Sequence, residues 1–118
     1  MKIVRSNIIP FKGFAAINLF GVVFVRKEIR PPFNFSPREW DKMLVHEGIH
    51  TKQMQELLYL PFYVWYILEW LVRIVMYRNV RKAYRNISFE REAYANQDNR
   101  YYNKERKRYS FLQYVKKQ

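Results

Sequence analysis

Hydrophobic positions change rhythm three times along the chain. In the first 30 residues they come in short runs rich in Val, Ile and Phe, as in "FAAINLFGVVFVRKEI", broken by Gly13 and Gly21. Such runs predict two or three short antiparallel strands. Pro31 and Pro32 in "RPPFNF" end the pattern, because proline has no N–H to give to a strand ladder. At "FSPREW" the rhythm becomes helical. Ser36 is a good N-cap, Pro37 suits the first helical position, and Glu39, three after Ser36, completes a capping box. A helix is expected from Pro37 to about Leu58.

The third rhythm is a long apolar run, "LLYLPFYVWYILEWLVRIVMY", residues 57 to 77. Its only charges are Glu69 and Arg73, four apart and in the favourable order for a structural ion pair on a helix. Pro61 is expected to break or kink its start. After a basic connector, "RNVRKAYRN", Ser88 can cap a third helix that begins "FEREAYANQDNRYY". The tail "NKERKRYSFLQYVKKQ" is expected to fray towards its end. The pattern predicts one α+β domain over residues 1–118, with strands in 1–35, a first helix in 36–58, an apolar helix in 61–78 and a third helix in 88–107. A small antiparallel sheet would pack on these three main helices. There is no internal repeat and no low-complexity segment.

Composition narrows the classes. At 118 residues the chain is one small domain, and with 22 aromatic residues it can build a core. The absence of cysteine excludes disulfides and thiolate metal sites. Net charge is +12, and it is uneven: from Arg78 onward there are 12 Lys or Arg against 4 Asp or Glu. Such a basic third either faces an anionic neighbour, such as a membrane surface, nucleic acid or acidic protein, or is a solvated surface. Residues 57–77 approach the roughly 20 needed to cross a bilayer, and Arg78, Arg81, Lys82 and Arg85 follow as flanking cations do. Glu69, Arg73 and Pro61 argue instead for a core helix. The N-terminus lacks a continuous apolar region and a small-residue cleavage site, so no signal peptide is expected. The expected location is cytoplasmic or membrane-associated.

Candidate chemistry concentrates in "MLVHEGIHTKQMQEL", which holds both histidines of the chain, His46 and His50, around Glu47. Histidines four apart on a helix share a face and can hold one cation. Zinc accepts neutral imidazole nitrogens and takes about three protein ligands in a catalytic site. Glu47 lies beside the metal rather than on it, placed to take a proton from a water. With no Cys and no further His, a third ligand must be a carboxylate. Gln53, seven after His46, shares the ligand face and could brace a ligand, or it could be ordinary surface. Glu56 lies further along the same helix. Glu69 is a ligand candidate against which its partner Arg73 weighs, and Asp98 is a candidate acceptor for a histidine N–H.

In "SFEREAYAN" the chain resembles the gluzincin metallopeptidases, in several families of which H-E-x-x-H is followed one helical hairpin later by E-x-x-A-D. "EREAY" matches as E-x-x-A. The resemblance implies Glu90 as the third ligand and leaves Glu92 off the metal face. Tyr94 stands where those families have an Asp that braces a ligand histidine. It is a candidate hydrogen-bond donor to the oxyanion, or a core aromatic. The resemblance covers residues 36 to 100, and the size is close to that of the minigluzincins. It implies a zincin-like core, Zn2+ as cofactor, a peptide or protein substrate, and a sheet edge that holds the substrate extended by main-chain hydrogen bonds. Two rivals stand beside hydrolysis: a non-catalytic zinc-bound domain whose basic surface binds an anionic membrane or a protein, and a nucleic-acid binder built on "RYYNKERKRYSF". No specific nucleic acid is expected.

Overall fold

The computed structural model describes residues 2–9, 15–31 and 33–116. The strand break expected at Gly13 and the stop at Pro32 lie outside them. Strands β1 (Lys2–Ser6), β2 (Ala16–Leu19) and β3 (Val22–Arg26) form one sheet in the order β1-β3-β2. Five helices follow: α1 (Pro37–Glu56), α2 (Leu60–Tyr77), α3 (Val80–Arg85), α4 (Ser88–Asn96) and α5 (Tyr102–Glu105), then a 3-10 turn, Ser110–Tyr114. The class is α+β, as the pattern predicts.

The most apolar strand, "VVFVR", takes the centre of the sheet, with Val23 and Val25 fully buried. β2 pairs with it antiparallel, Ala16 opposite Val25 and Leu19 opposite Val22. β1 pairs with it in parallel, from Lys2 beside Val22 to Ser6 beside Arg26. The sheet is therefore mixed, not wholly antiparallel. The chain reverses once between β1 and β2 and again between β2 and β3, so β1 and β3 run the same way. The second reversal is a two-residue turn with Phe20 at φ 53° and Gly21 at φ 89°. Positive φ at both central positions is what a tight hairpin needs. Phe20 is held there by its N–H, which donates to the Tyr63 hydroxyl at 2.9 Å, and by ring contact with Tyr63 at 5.0 Å.

The capping box forms as read. The Glu39 N–H donates to Ser36 Oγ at 3.0 Å, and the Ser36 N–H donates to Glu39 Oε1 at 3.3 Å. The turn from α1 to α2 passes through Leu58 and Tyr59, both left-handed at φ 59° and 66°. Pro61 falls in the first turn of α2, where a missing N–H has no intrahelical partner to lose, so it starts the helix rather than kinking it.

Ser88 is not a cap. It is the first residue of α4, and its N–H and hydroxyl both donate to the Glu69 carboxylate of α2 at 2.6 Å. Glu69 also accepts from Arg73 at 3.1 Å, the ion pair expected from the spacing. α4 ends at Asn96 rather than continuing to 107, and just beyond it the Asn99 side chain bonds to local backbone instead. The Tyr101 N–H donates to Asn99 Oδ1 at 3.0 Å. The tail does not fray over its described length. Phe111 enters the core with Met54, Phe62, Ile87 and Phe89, and Arg73 donates to the Val115 carbonyl at 2.7 Å. Phe89 stands at the middle of this cluster, 4.5 Å from Phe62 and 4.7 Å from Phe111 between ring centres. That core fixes α4 beside α1 and gives the two helices one buried face in common.

Candidate metal centre

The shared face holds His46, Glu47, His50 and Gln53 of α1 and Glu90 and Glu92 of α4, all buried. Six polar side chains in one interior would be costly unless each met a partner. Five of them do so through hydrogen bonds and ion pairs. His46 Nε2 lies 3.1 Å from Glu90 Oε1, His50 Nε2 lies 3.2 Å from Glu90 Oε2, and the two Nε2 atoms lie 3.1 Å apart. The ligand atoms of the three residues all fall within 4.8 Å of one another, so the group could hold a metal ion.

The surrounding hydrogen bonds decide which way those nitrogens present themselves. The Gln53 amide NH2 donates to the Phe89 carbonyl at 3.1 Å and to Glu92 Oε1 at 3.0 Å, both of which can only accept. Its oxygen is therefore the atom that faces His50 Nδ1, at 2.8 Å. An acceptor there puts a proton on Nδ1 and leaves the Nε2 lone pair pointing into the group. His46 Nδ1 meets Gln97 Oε1 at 2.8 Å and presents its Nε2 in the same way. Two lone pairs and a carboxylate facing one another need a cation between them. A proton serves when nothing else does. Burial alone would pull the His50 pKa down, but Glu90 reverses this and raises it to about 9. Burial favours the neutral acid at Glu90, yet the two imidazoles hold its carboxyl far below the usual carboxylate range. Imidazole nitrogen and carboxylate oxygen are the donors that a divalent transition metal takes, so the residues fit such an ion.

Glu47 stands beside the group and outside it. Its backbone carbonyl accepts from the Asn18 side chain at 2.8 Å, which ties β2 to α1. Its carboxylate has no hydrogen-bond partner among the described residues, and burial raises its pKa above the ordinary value. It lines a cavity of about 410 Å³ together with His46, His50 and Glu90, roofed by Ile17 and Asn18 of β2 and walled by Tyr66 and Tyr84. β2 is an edge strand. The Arg26 N–H bonds the Ala15 carbonyl, so by antiparallel alternation Ala16 and Asn18 turn their main-chain groups away from β3.

The other expected residues fall as follows. Gln53 is fully buried and braces His50. Glu92 is off the metal face. It accepts from Tyr102 at 2.7 Å and from Arg106 at 2.6 Å. Glu56 pairs with the same Arg106. Asp98 is exposed and 3.4 Å from Lys42, so it braces no histidine. Tyr94 packs edge-on against the His46 ring at 4.7 Å under the Arg85 guanidinium, and it does not line the cavity. Tyr84 does line it, and its hydroxyl is kept protonated by burial and by nearby Glu90.

Three contributors escape a reading of the sequence: Gln97, Tyr84 and Tyr66, whose hydroxyl donates to Glu90 Oε2 at 2.7 Å. Gln97 lies seven after Glu90, a same-face spacing that could have suggested it. Nothing local marks the two tyrosines. No protein-family model, curated protein or solved structure matches this chain.

Proposed function

We propose that the chain is a zinc-dependent peptide hydrolase of the gluzincin kind. One observation carries this reading. A buried His46, His50 and Glu90 group lies on the same cavity as Glu47, an unpartnered carboxylate that has no structural task to perform. A metal-binding role alone leaves Glu47 unexplained, whereas hydrolysis needs a base there.

Zinc at this centre would polarise a scissile carbonyl and lower the pKa of a water molecule. His46, His50 and Glu90 hold the ion, and Gln97 and Gln53 keep the two rings oriented. Glu47 takes the proton of the attacking water and returns it to the leaving amine, a task for which its raised pKa suits it. The outward main-chain groups of Ala16 and the N–H of Asn18 hold a peptide in extended form along β2. The hydroxyl of Tyr84, which lines the cavity, donates to the oxygen on which charge develops, a part for which the sequence offers Tyr94 as a candidate.

Glu47→Gln separates chemistry from metal binding. It is expected to bind zinc as the parent does and to lose about 10²- to 10⁴-fold in hydrolysis, the usual contribution of a positioned base. Cleavage of a broad peptide library, read by mass spectrometry, measures the loss. Elemental analysis measures the metal. Equal cleavage by both proteins would sink the assignment. Zinc in both with cleavage by neither would make this a metal-bound domain without turnover.

A further inference from the structure

α2 is built inside out. Its two charged residues, Glu69 and Arg73, face the protein and bond there to Ser88, to each other and to the Val115 carbonyl. Its aliphatic residues face outward. Leu60, Val64, Leu68, Leu71, Val72 and Val75 are each at least half exposed. They form one unbroken row along the helix, about 24 Å from end to end at roughly 1.5 Å per residue. Isolated exposed aliphatics are ordinary; a continuous row marks a surface that something else covers.

Charge identifies the occupant. Beyond the end of α2, Arg78, Arg81, Lys82 and Arg85 are all exposed. Between residues 60 and 85 the only acid is Glu69, which is turned inward. A second copy placed against the row would meet the same cations with no exposed acid of α2 or α3 to answer them. An anionic partner removes the conflict, and an aliphatic row beside a cationic cluster is what a bilayer interface accepts.

We propose that α2 docks the protein on an anionic lipid surface, lying in the plane of the interface. Its aliphatic row enters the acyl region, and the cations from Arg78 to Arg85 meet the headgroups. The inner face of α2 is anchored at both ends, Phe62 in the core near one end and Arg73 to Val115 near the other. The domain therefore lies alongside the helix. A helix crossing the bilayer would carry Glu90 and the Arg106 pairs into hydrocarbon, whereas an in-plane helix leaves them in the domain above the lipid. This rests on α2 and the cations that follow it through α3, and does not depend on hydrolysis.

Co-sedimentation with vesicles of phosphatidylcholine mixed with phosphatidylserine, against pure phosphatidylcholine, tests it. The parent should bind the mixed vesicles and lose most of that binding as salt is raised. The exposed triple variant Leu68→Gln, Val72→Gln, Val75→Gln should keep its circular dichroism and lose vesicle binding. The pair Arg81→Gln, Lys82→Gln should bind about 25-fold more weakly, at roughly fivefold for each cation near an anionic surface. Parent that binds neither vesicle overturns the proposal, as does a triple variant that binds like the parent. A concentration-dependent dimer that the triple variant abolishes, without vesicle binding, assigns the row to a second copy. Retention in membranes after alkaline carbonate extraction assigns it to a spanning helix.

Discussion

Glu90 and Glu92 stand two residues apart on one short helix, both buried, and the protein answers their charges in opposite ways. Glu92 meets Arg106, whose side chain is 2 % exposed and also pairs with Glu56. Its cation is part of the chain and keeps its charge at every working pH. Glu90 meets two imidazoles and a tyrosine hydroxyl. None of these carries a fixed charge. One site is closed by a residue; the other is closed by whatever cation is present. A buried carboxylate that a fold leaves to imidazoles could hold an ion there, and the neighbouring carboxylate shows that this fold can also supply a fixed cation of its own.

The largest effect should come from opening the closed site. Arg106→Met leaves Glu92 and Glu56 buried with no cation, and breaking such a pair from one side costs about 3–5 kcal/mol. Urea unfolding of the metal-free protein measures it. Adding Glu92→Gln to Arg106→Met should recover part of the loss, because the stranded charge goes with it. If the single variant unfolds at the parent's midpoint, the buried pairs are not the structural element described.

The open site should instead respond to pH. In metal-free protein His50 titrates near 9 against an ordinary 6.5. A raised histidine stabilises fully below pH 6.5 and loses that contribution as pH rises through 9. Glu90 is shifted down, so its contribution holds above the ordinary carboxylate value of 4.5 and fades as pH falls. The metal-free protein should be most stable between about 4.5 and 6.5 and lose up to about 3 kcal/mol towards pH 9 from this pair. Zinc should reverse the slope, because protons compete with the ion for the same atoms. Zinc at a hundredfold its dissociation constant should add about 2.7 kcal/mol. Unfolding midpoints at pH 6 and pH 9, with chelator and with zinc, give the four values. The same slope with and without zinc would mean that the ion does not sit between His50 and Glu90.

These contrasts also show where the sequence is transparent. The capping box at Ser36 and the spacing of His46 and His50 are local, so the first helix and two members of the buried His46, His50 and Glu90 group can be read from a few adjacent residues. Glu90 is not singled out locally, since nothing in the sequence of α4 distinguishes it from Glu92. The direction of β1 is hidden, because it depends on which edge of β3 the strand joins. Arg106 is hidden too. It lies in the run "NKERKR", which reads as solvated charge, and a sequence does not say which cation of a run turns inward. α2 misleads in the opposite sense. Its composition reads as a core helix or a membrane span, and only the structure reveals that Arg73 is buried beside Phe62 with Glu69 turned inward while most of its aliphatic residues are exposed.

The smallest effect tests the bracing of the open site by itself. Gln97 touches His46 Nδ1 and stands at the end of α4, half-buried, so its loss should disturb little besides the ring. Gln53 is the poorer probe, because it also holds Glu92 and the Phe89 carbonyl. Gln97→Leu keeps the approximate size of the side chain and removes the acceptor. Without it the Nδ1 proton is no longer favoured, and His46 can turn or change tautomer. Removing such an outer partner typically lowers metal affinity 10- to 100-fold. The variant should therefore bind zinc more weakly by about that factor in competition with a chromogenic chelator, while the metal-free protein unfolds within about 0.5 kcal/mol of the parent, as expected away from the core. Unchanged affinity would mean that His46 is oriented by its contacts with Tyr94 and Glu90 alone. An affinity loss accompanied by an equal loss of metal-free stability would make Gln97 a structural residue, and the two carboxylates would then differ less than their partners suggest.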